Sequence, residues 1–254
     1  MQLDIVELSK AGGRQVNEDA CGTWSNTAVC CCVLSDGLGG HDGGEVASKI
    51  VVQQTLNSFR RSPECSAKEI EALLHAGNEA IMDEQQRDSK LVSMRATAVI
   101  LTIDIIRNLA FWGHIGDSRL YCFRQGRIVK QTRDHSVTQQ MVDAGYLKPE
   151  ELRCSPNRSK LLAALGGSNG QGEFDIAPVA FPVQDKDVFL LCSDGLWEYI
   201  EESELEKMLA ASTSASGWLT ALEEQVIARG HATQDNYSAI VVWCSDSDDT
   251  AQLL

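Results

Sequence analysis

At two places far apart in the chain, Leu34-Ser35-Asp36-Gly37 and Leu191-Cys192-Ser193-Asp194-Gly195, an apolar, strand-like run leads straight into an aspartate followed by glycine. This constrains the fold, because a carboxylate at the end of a rigid strand is held in place and a neighbouring glycine admits backbone or a metal with no Cβ in the way. Asp235-Asn236 repeats the pattern just before the apolar run 238–243, and Arg14-Gln15-Val16-Asn17-Glu18-Asp19 opens the chain in the same acidic manner. Several carboxylates at strand ends suggest a site for hard metal ions.

The order of elements limits the architecture. Short apolar runs at 3–8, 21–24 and 28–34 predict strands, broken by Gly, Asn or Asp. Two amphipathic helices are expected at 45–59, with Val46, Ile50, Val51 and Leu56, and at 67–86, with Ile70, Leu73, Leu74 and Ile81. Strand patterns at 96–103, 109–115 and 119–123 follow so closely that they predict an antiparallel meander. From about 137 to 175 the strand pattern lapses, and Gly145, Pro149, Pro156, Gly166 and Gly167 punctuate what reads as a surface flap. The chain returns to a strand at 188–192, two helices at 203–210 and 218–228, and a last strand at 238–243. Strands, helix pair, strands, insert, strand, helices, strand indicates α+β with packed sheets and outer helices, rather than alternating βαβ units. Residues 1–245 read as a single domain, followed by a loose acidic tail at 246–254.

Composition excludes several function classes. A net charge of -14 argues against a nucleic-acid or anionic-membrane partner, since both reward clustered Lys and Arg. Neither a signal peptide nor an apolar membrane span is expected. The nine cysteines include the adjacent Cys30, Cys31 and Cys32 and no CxxC pair. They read as reduced core residues of a cytoplasmic protein, because neighbours on opposite faces of a strand are poor disulfide partners.

In this order, Arg14 to Ala20, Ser35-Asp36-Gly37-Leu38-Gly39-Gly40-His41 with Gly44-Glu45-Val46-Ala47-Ser48, Ala96-Thr97-Ala98, Gly116-Asp117-Ser118-Arg119, Asp134-His135-Ser136, Ser193-Asp194-Gly195-Leu196-Trp197 and Asp235-Asn236 resemble the signature blocks of the metal-dependent type 2C (PPM) serine/threonine protein phosphatases in their compact bacterial form. Any one block is weak, since Asp-Gly is also a common hairpin turn, but the series in order is strong. The resemblance implies a four-layer αββα sandwich of two antiparallel sheets flanked by helix pairs, with two Mn²⁺ or Mg²⁺ ions at one end. It implies phosphoprotein substrates and a cognate bacterial Ser/Thr kinase. Two such ions about 4 Å apart can share a bridging hydroxide and neutralise charge on a phosphoryl group attacked in line.

By the same resemblance Asp36 would bridge the ions, the Gly37 carbonyl would bind one, and Asp194 and Asp235 would hold the other side. Glu18 and Asp19 would complete the site, one of them as a ligand directly or through water. Arg14 is the candidate for gripping substrate phosphate. Asn236 is either an orienting neighbour of Asp235 or a turn residue. Asp117 matches a position that helps bind a third, weaker metal beside the flap, though it also suits a tight turn, and Glu198 is a further candidate there. Leu38 stands where the eukaryotic branch has a histidine, so the resemblance supplies no acid for the leaving alkoxide. His41 could act through water, or it shapes the entry to the following helix. His114 and His135 read as structural, and Arg158 as a solvated flap residue that could meet a phosphopeptide. Ser118 is not expected to be a nucleophile, as no strand-to-helix G-x-S-x-G elbow is present. An active phosphatase is therefore expected, the alternative being a pseudophosphatase that keeps the fold as a binding module.

Overall fold

The computed structural model describes residues 1–39, 43–167 and 174–246. His41 and the acidic tail beyond Asp246 lie outside the described residues. Along the chain run β1 (Gln2–Lys10), β2 (Asp19–Ser25), β3 (Val29–Leu38), α1 (Gly43–Arg61), α2 (Ala67–Arg87), β4 (Arg95–Ala96), β5 (Ala98–Asp104), β6 (Leu109–Ile115), β7 (Arg119–Arg124) and β8 (Arg127–Gln131). Then come α3 (Val137–Asp143), β9 (Asp175–Ile176), β10 (Phe181–Pro182), β11 (Val188–Cys192), α4 (Asp194–Trp197), α5 (Glu202–Ala210), α6 (Ala215–Arg229) and β12 (Tyr237–Ser245).

One sheet has the order β1-β12-β11-β7-β8; the other has β10-β6-β5-β3-β2, with β4 on β3 and β9 on β6. All pairings are antiparallel. Three apolar layers cement the sandwich. Cys30, Cys32, Leu34, Val99, Leu101, Phe189, Leu191, Ile240 and Val242 fill the space between the sheets. The opposite face of β3 and β5, through Cys31, Val33, Ala98 and Ile100, packs on Val51, Phe59, Ile70, Leu74 and Ile81 of α1 and α2. The outer face of the other sheet packs Tyr121, Phe123 and Leu190 on Leu205, Trp218, Leu222 and Val226 of α5 and α6. These layers make the packed sheets with outer helices expected from the element order, in the αββα arrangement that the resemblance implies.

The cysteine triplet follows from strand alternation, Cys30 and Cys32 facing the inter-sheet layer and Cys31 the helices. All nine cysteines are free thiols, and burial pushes Cys21 and Cys65 up to about 12. Cys154 differs from the core reading: it is exposed in the flap segment.

Within the flap segment, the described residues up to 167 are tied to the core. Leu161 bridges Ser136, Leu165 bridges Ala96, and Leu165 is fully buried against the α1 and α2 layer. Sequence periodicity missed β8, whose alternation is mostly exposed, and the very short β4, β9, β10 and α4.

Leu222 is fully buried in the layer between α6 and its sheet. Leu222→Ala is expected to cost about 2–5 kcal/mol in urea unfolding, because transfer energy is lost and a cavity left.

Candidate active site

The site lies where strand ends from both sheets meet. Asp36 sits near the end of β3, directly opposite Asp19 at the start of β2 in the ladder. Asp194 begins the short α4 that follows β11, and Asp235 precedes β12, which pairs with β11 in the same sheet. Asp117 occupies the turn where the chain passes from β6 in one sheet to β7 in the other.

Both Asp-Gly steps depend on close backbone approach. A Cβ on Gly37 would fall 1.9 Å from the Gly44 carbonyl oxygen at the start of α1, and one on Gly195 would fall 1.9 Å from that of Asn236. Neither position can carry a side chain without displacing backbone. Gly44 completes the cradle: a Cβ there would meet the Glu18 carboxyl and, at 2.8 Å, the Gly37 carbonyl oxygen.

Hydrogen bonds hold the main chain of Asp36 and the carboxyl of Asp19 from behind. The Asp36 N–H donates to Thr97 Oγ1 at 2.9 Å, the Thr97 N–H donates to the Asp36 carbonyl at 2.8 Å, and Ser35 Oγ donates to the Thr97 carbonyl at 2.7 Å. Thr97 Oγ1 also meets Ser118 Oγ at 2.7 Å, so this buried serine is a brace, in keeping with its rejection as a nucleophile. Ser193 Oγ donates to Asp19 Oδ2 at 2.7 Å and accepts from the Ser238 N–H at 2.9 Å. The other Asp19 oxygen, Oδ1, is buried with no hydrogen-bond partner. A cation, or water on a cation, would satisfy that oxygen.

Asn236 proves to be a brace rather than a simple turn residue. Its Oδ1 accepts from the Glu18 N–H at 2.8 Å, while Nδ2 donates to the carbonyls of Ala11 at 2.8 Å and Val16 at 2.9 Å. It thereby folds the loop carrying Arg14 and Glu18 over the centre. The Arg14 guanidinium reaches Asp235 Oδ2 at 2.8 Å, with both side chains half exposed. It stands at the solvent rim of the carboxylate cluster.

Electrostatics shows how tightly the acids converge. Burial, then Asp19, Asp194, Asp117 and Asp235, push the Asp36 carboxyl well above the usual carboxylate range. Burial, then Asp117, Glu198, Asp235 and Asp19, do the same to Asp194. Burial lifts Asp19 to about 6 against its Ser193 hydrogen bond, and lifts Asp117 to about 7 with Asp134 adding to the effect. Carboxylates that raise one another's affinity for protons attract a divalent cation for the same reason. The donor set is all oxygen, as Mg²⁺ and Mn²⁺ prefer.

Three arginines were under-read in the sequence. Arg119 is buried, makes a two-pronged bond to Asp134 with both contacts at 2.7 Å, and lies 3.6 Å over the Trp197 ring. Trp197 Nε1 in turn donates to the Asp117 carbonyl at 2.9 Å, so the arginine fixes the tryptophan that fixes the turn. Arg153 reaches from the flap to the Trp197 carbonyl at 3.0 Å and to Glu202 at 2.9 Å. Arg158 is exposed, as expected of a flap arginine, and in addition pairs with Glu198, which is half-buried beside Asp194. The blocks containing Arg119, Asp134 and Trp197 were visible, but nothing in a linear sequence pairs them. Leu38 occupies the strand end after Gly37 as a half-buried residue.

The chain matches the family model described as protein phosphatase 2C over residues 9–234, and it belongs to that family. It is 34% identical over 178 residues to the serine/threonine protein phosphatase PstP of Mycobacterium tuberculosis, an alignment covering 69% of this chain and 33% of that one. The chain thus spans about a third of the length of PstP. It is 29% identical over 209 residues to the serine/threonine phosphatase Stp of Listeria welshimeri, covering 80% of this chain and 81% of that one. Among solved structures, the catalytic domain of PstP with two manganese ions superposes with a TM-score of 0.80 at 27% identity, covering 96% of this chain and 99% of that one.

The raised carboxyls predict a pH signature in metal-free protein. The folded state holds protons that ordinary unfolded carboxylates release, so stability falls as pH rises through the window between 3.8 and about 6 set by Asp19. Melting temperature without divalent ions should therefore increase as pH is lowered through about 6. Saturating Mn²⁺ should abolish that gain, because a bound cation favours the ionised carboxylates.

Proposed function

We propose that this chain is a metal-dependent phosphoprotein phosphatase that hydrolyses phosphate monoesters on serine and threonine. The observation that carries the reading is the gathering of buried acids at the meeting point of two rigid sheets, where Asp19 and Asp36 face each other in the ladder and burial raises Asp19, Asp36, Asp117 and Asp194, with neighbouring aspartates raising Asp36 and Asp194 further. A silent binding module has no need to hold so much like charge together, so the pseudophosphatase alternative is set aside.

Two Mn²⁺ or Mg²⁺ ions fit the oxygen-lined centre, and when bound they would activate a water and offset charge on the phosphoryl group. Asp36 would hold both ions, the Gly37 carbonyl one, and Asp194 and Asp235 the opposite side. Asp19, with one oxygen on Ser193 and the other unpaired, and Glu18, beside the Gly37 carbonyl and Gly44, would close the cage. Asp117 and Glu198 would take a third, weaker ion beside the flap. The residues of the chain otherwise act by position. Arg14 stands at the rim, and its planar guanidinium can leave Asp235 for two oxygens of an incoming phosphate. Thr97, Ser193 and Asn236 hold the carboxylates and the Arg14 loop in place, which keeps the substrate phosphate in line with the attacking water. No side chain takes the role of covalent nucleophile: Ser118 bonds Thr97 in the core, and burial pushes the Cys122 thiol up to about 12.

Substrate choice is proposed to follow from the flap, where Arg153 and Arg158 are anchored against Glu202 and Glu198. A cognate Ser/Thr kinase and a cytoplasmic setting are proposed on the family resemblance. Among the described residues no helix is long and apolar enough to cross a membrane.

Hydrolysis of p-nitrophenyl phosphate by purified protein is the direct test. Activity should vanish with EDTA and return with Mn²⁺. Asp36→Asn and Asp194→Asn should each lower turnover by at least about 100-fold with an unchanged circular-dichroism spectrum, since each removes a ligand charge. Full activity in both variants would overturn the assignment. Arg14→Ala should raise KM for a phosphopeptide about 10-fold while leaving Mn²⁺ affinity within about 2-fold, the loss of one charged phosphate contact.

A further inference from the structure

A second group of potential metal ligands lies apart from the carboxylate centre. His114 on β6, His135 in the turn before α3 and Asp175 on β9 place one ligand atom each within 4.8 Å of one another. His114 and Asp175 are directly opposed in the β6–β9 ladder, and the two imidazoles stack with centroids 4.7 Å apart. His114 and Asp175 also line a cavity of about 510 Å³ bounded by Trp112, Lys130, Thr132 and Phe181, into which none of the carboxylates of the first centre projects.

We propose that His114, His135 and Asp175 form a separate cation site for a borderline transition-metal ion, Zn²⁺ foremost, that staples the two roots of the flap to β6. His114 carries the strongest indication. It is 1% exposed, its Nε2 lies 2.7 Å from the Arg133 carbonyl, and its Nδ1 has no partner at hydrogen-bonding geometry, although the Asp175 main chain lies near the ring. A carbonyl can only accept, so Nε2 bears the proton and Nδ1 presents a buried lone pair, the arrangement by which a backbone carbonyl orients a metal-binding imidazole. Burial pushes the His114 pKa down, which keeps the ring neutral and its lone pair available.

The other ligands can move onto the ion. His135 Nδ1 accepts from the Gly116 N–H at 3.3 Å, a long contact that costs little to surrender, and Asp175 is exposed on a two-residue strand. Tetrahedral Zn²⁺ at ordinary bond lengths needs ligand atoms about 3.4 Å apart, so a rotamer adjustment of these two side chains closes the present spacing around a fixed His114. Two imidazoles and one carboxylate favour Zn²⁺ over Mg²⁺, which distinguishes this site from the all-oxygen centre. Its position gives it a consequence. His135 lies immediately before the flap and Asp175 at its far end, so one ion would tie both roots to β6. Because the His135 N–H also donates to the Gly116 carbonyl at 2.8 Å, occupancy would be felt at Asp117 next in the chain.

The test is calorimetric titration of Zn²⁺ into the whole protein with the oxygen centre saturated by Mg²⁺, accompanied by Co²⁺ absorption as a reporter of nitrogen ligation. The expected result is one Zn²⁺ per chain, weakened at least about 10-fold in Asp175→Ala and in His135→Ala, and retained in Asp36→Asn. Asp175→Ala changes an exposed side chain and should keep both its fold and its Mn²⁺-dependent hydrolysis. Zn²⁺ binding that is unaltered by Asp175→Ala and His135→Ala, absent altogether, or lost only in Asp36→Asn would overturn the proposal. The outcomes that decide the proposal are binding measurements, so they stand apart from the test of phosphatase activity.

Discussion

Like charges gathered in a partly dry space repel one another, and each is penalised for leaving water. Asp36 feels both effects at once, from its own burial and from Asp19, Asp194, Asp117 and Asp235. Such a group persists only if the chain around it is too rigid to relax. Much of the architecture answers that requirement: the acids stand at strand ends in two sheets, and each sheet is cemented by apolar layers on both faces. Removing the repulsion by spreading the carboxylates would mean breaking ladders such as β2–β3, where Asp19 and Asp36 are in register.

Support from behind is as specific as the acids themselves. Thr97 and Asn236 satisfy the main-chain N–H groups of Asp36 and Glu18, and Ser193 bonds one Asp19 oxygen while the other stays unpaired. Below the centre, Arg119 spans Asp134 and the face of Trp197, and Glu202 receives both Arg119 and Arg153. Buried ion pairs of this sort contribute little net stability, yet losing one partner strands a charge. Their value here is positional, since Trp197 holds the carbonyl of Asp117. The flap is joined to the same network through Arg153 and Arg158, so the flap and the carboxylate-rich end of the sandwich are mechanically linked.

Family membership sets the fold, and the residues of the site carry the chemistry. Within that frame the imidazole pair at the flap roots stands out. Its donor set differs from the oxygen cage, and its ladder position places it at the hinge of a segment otherwise pinned by Leu161 and Leu165. The fold thus offers two chemically distinct ends to the same flap, one held by arginine–carboxylate pairs and one suited to a nitrogen-preferring cation.

By itself the sequence determined the class of the fold, because apolar periodicity and turn residues mark most strands and helices wherever one face is buried. It also marked Asp36, Asp194 and Asp235 as candidates, because each adjoins an apolar run and the blocks recur in series, although a single Asp-Gly step would read equally as a turn. What escaped it were elements too short or too exposed to show a period, namely β4, β8, β9, β10 and α4. Only the tertiary structure decided that Asn236 braces the Arg14 loop, that Arg119 fixes Trp197, that Arg158 is paired, and that His114 faces His135 and Asp175. These are contacts between residues far apart along the chain, and a side chain's partner there is set by strand register and sheet packing, which no local pattern encodes.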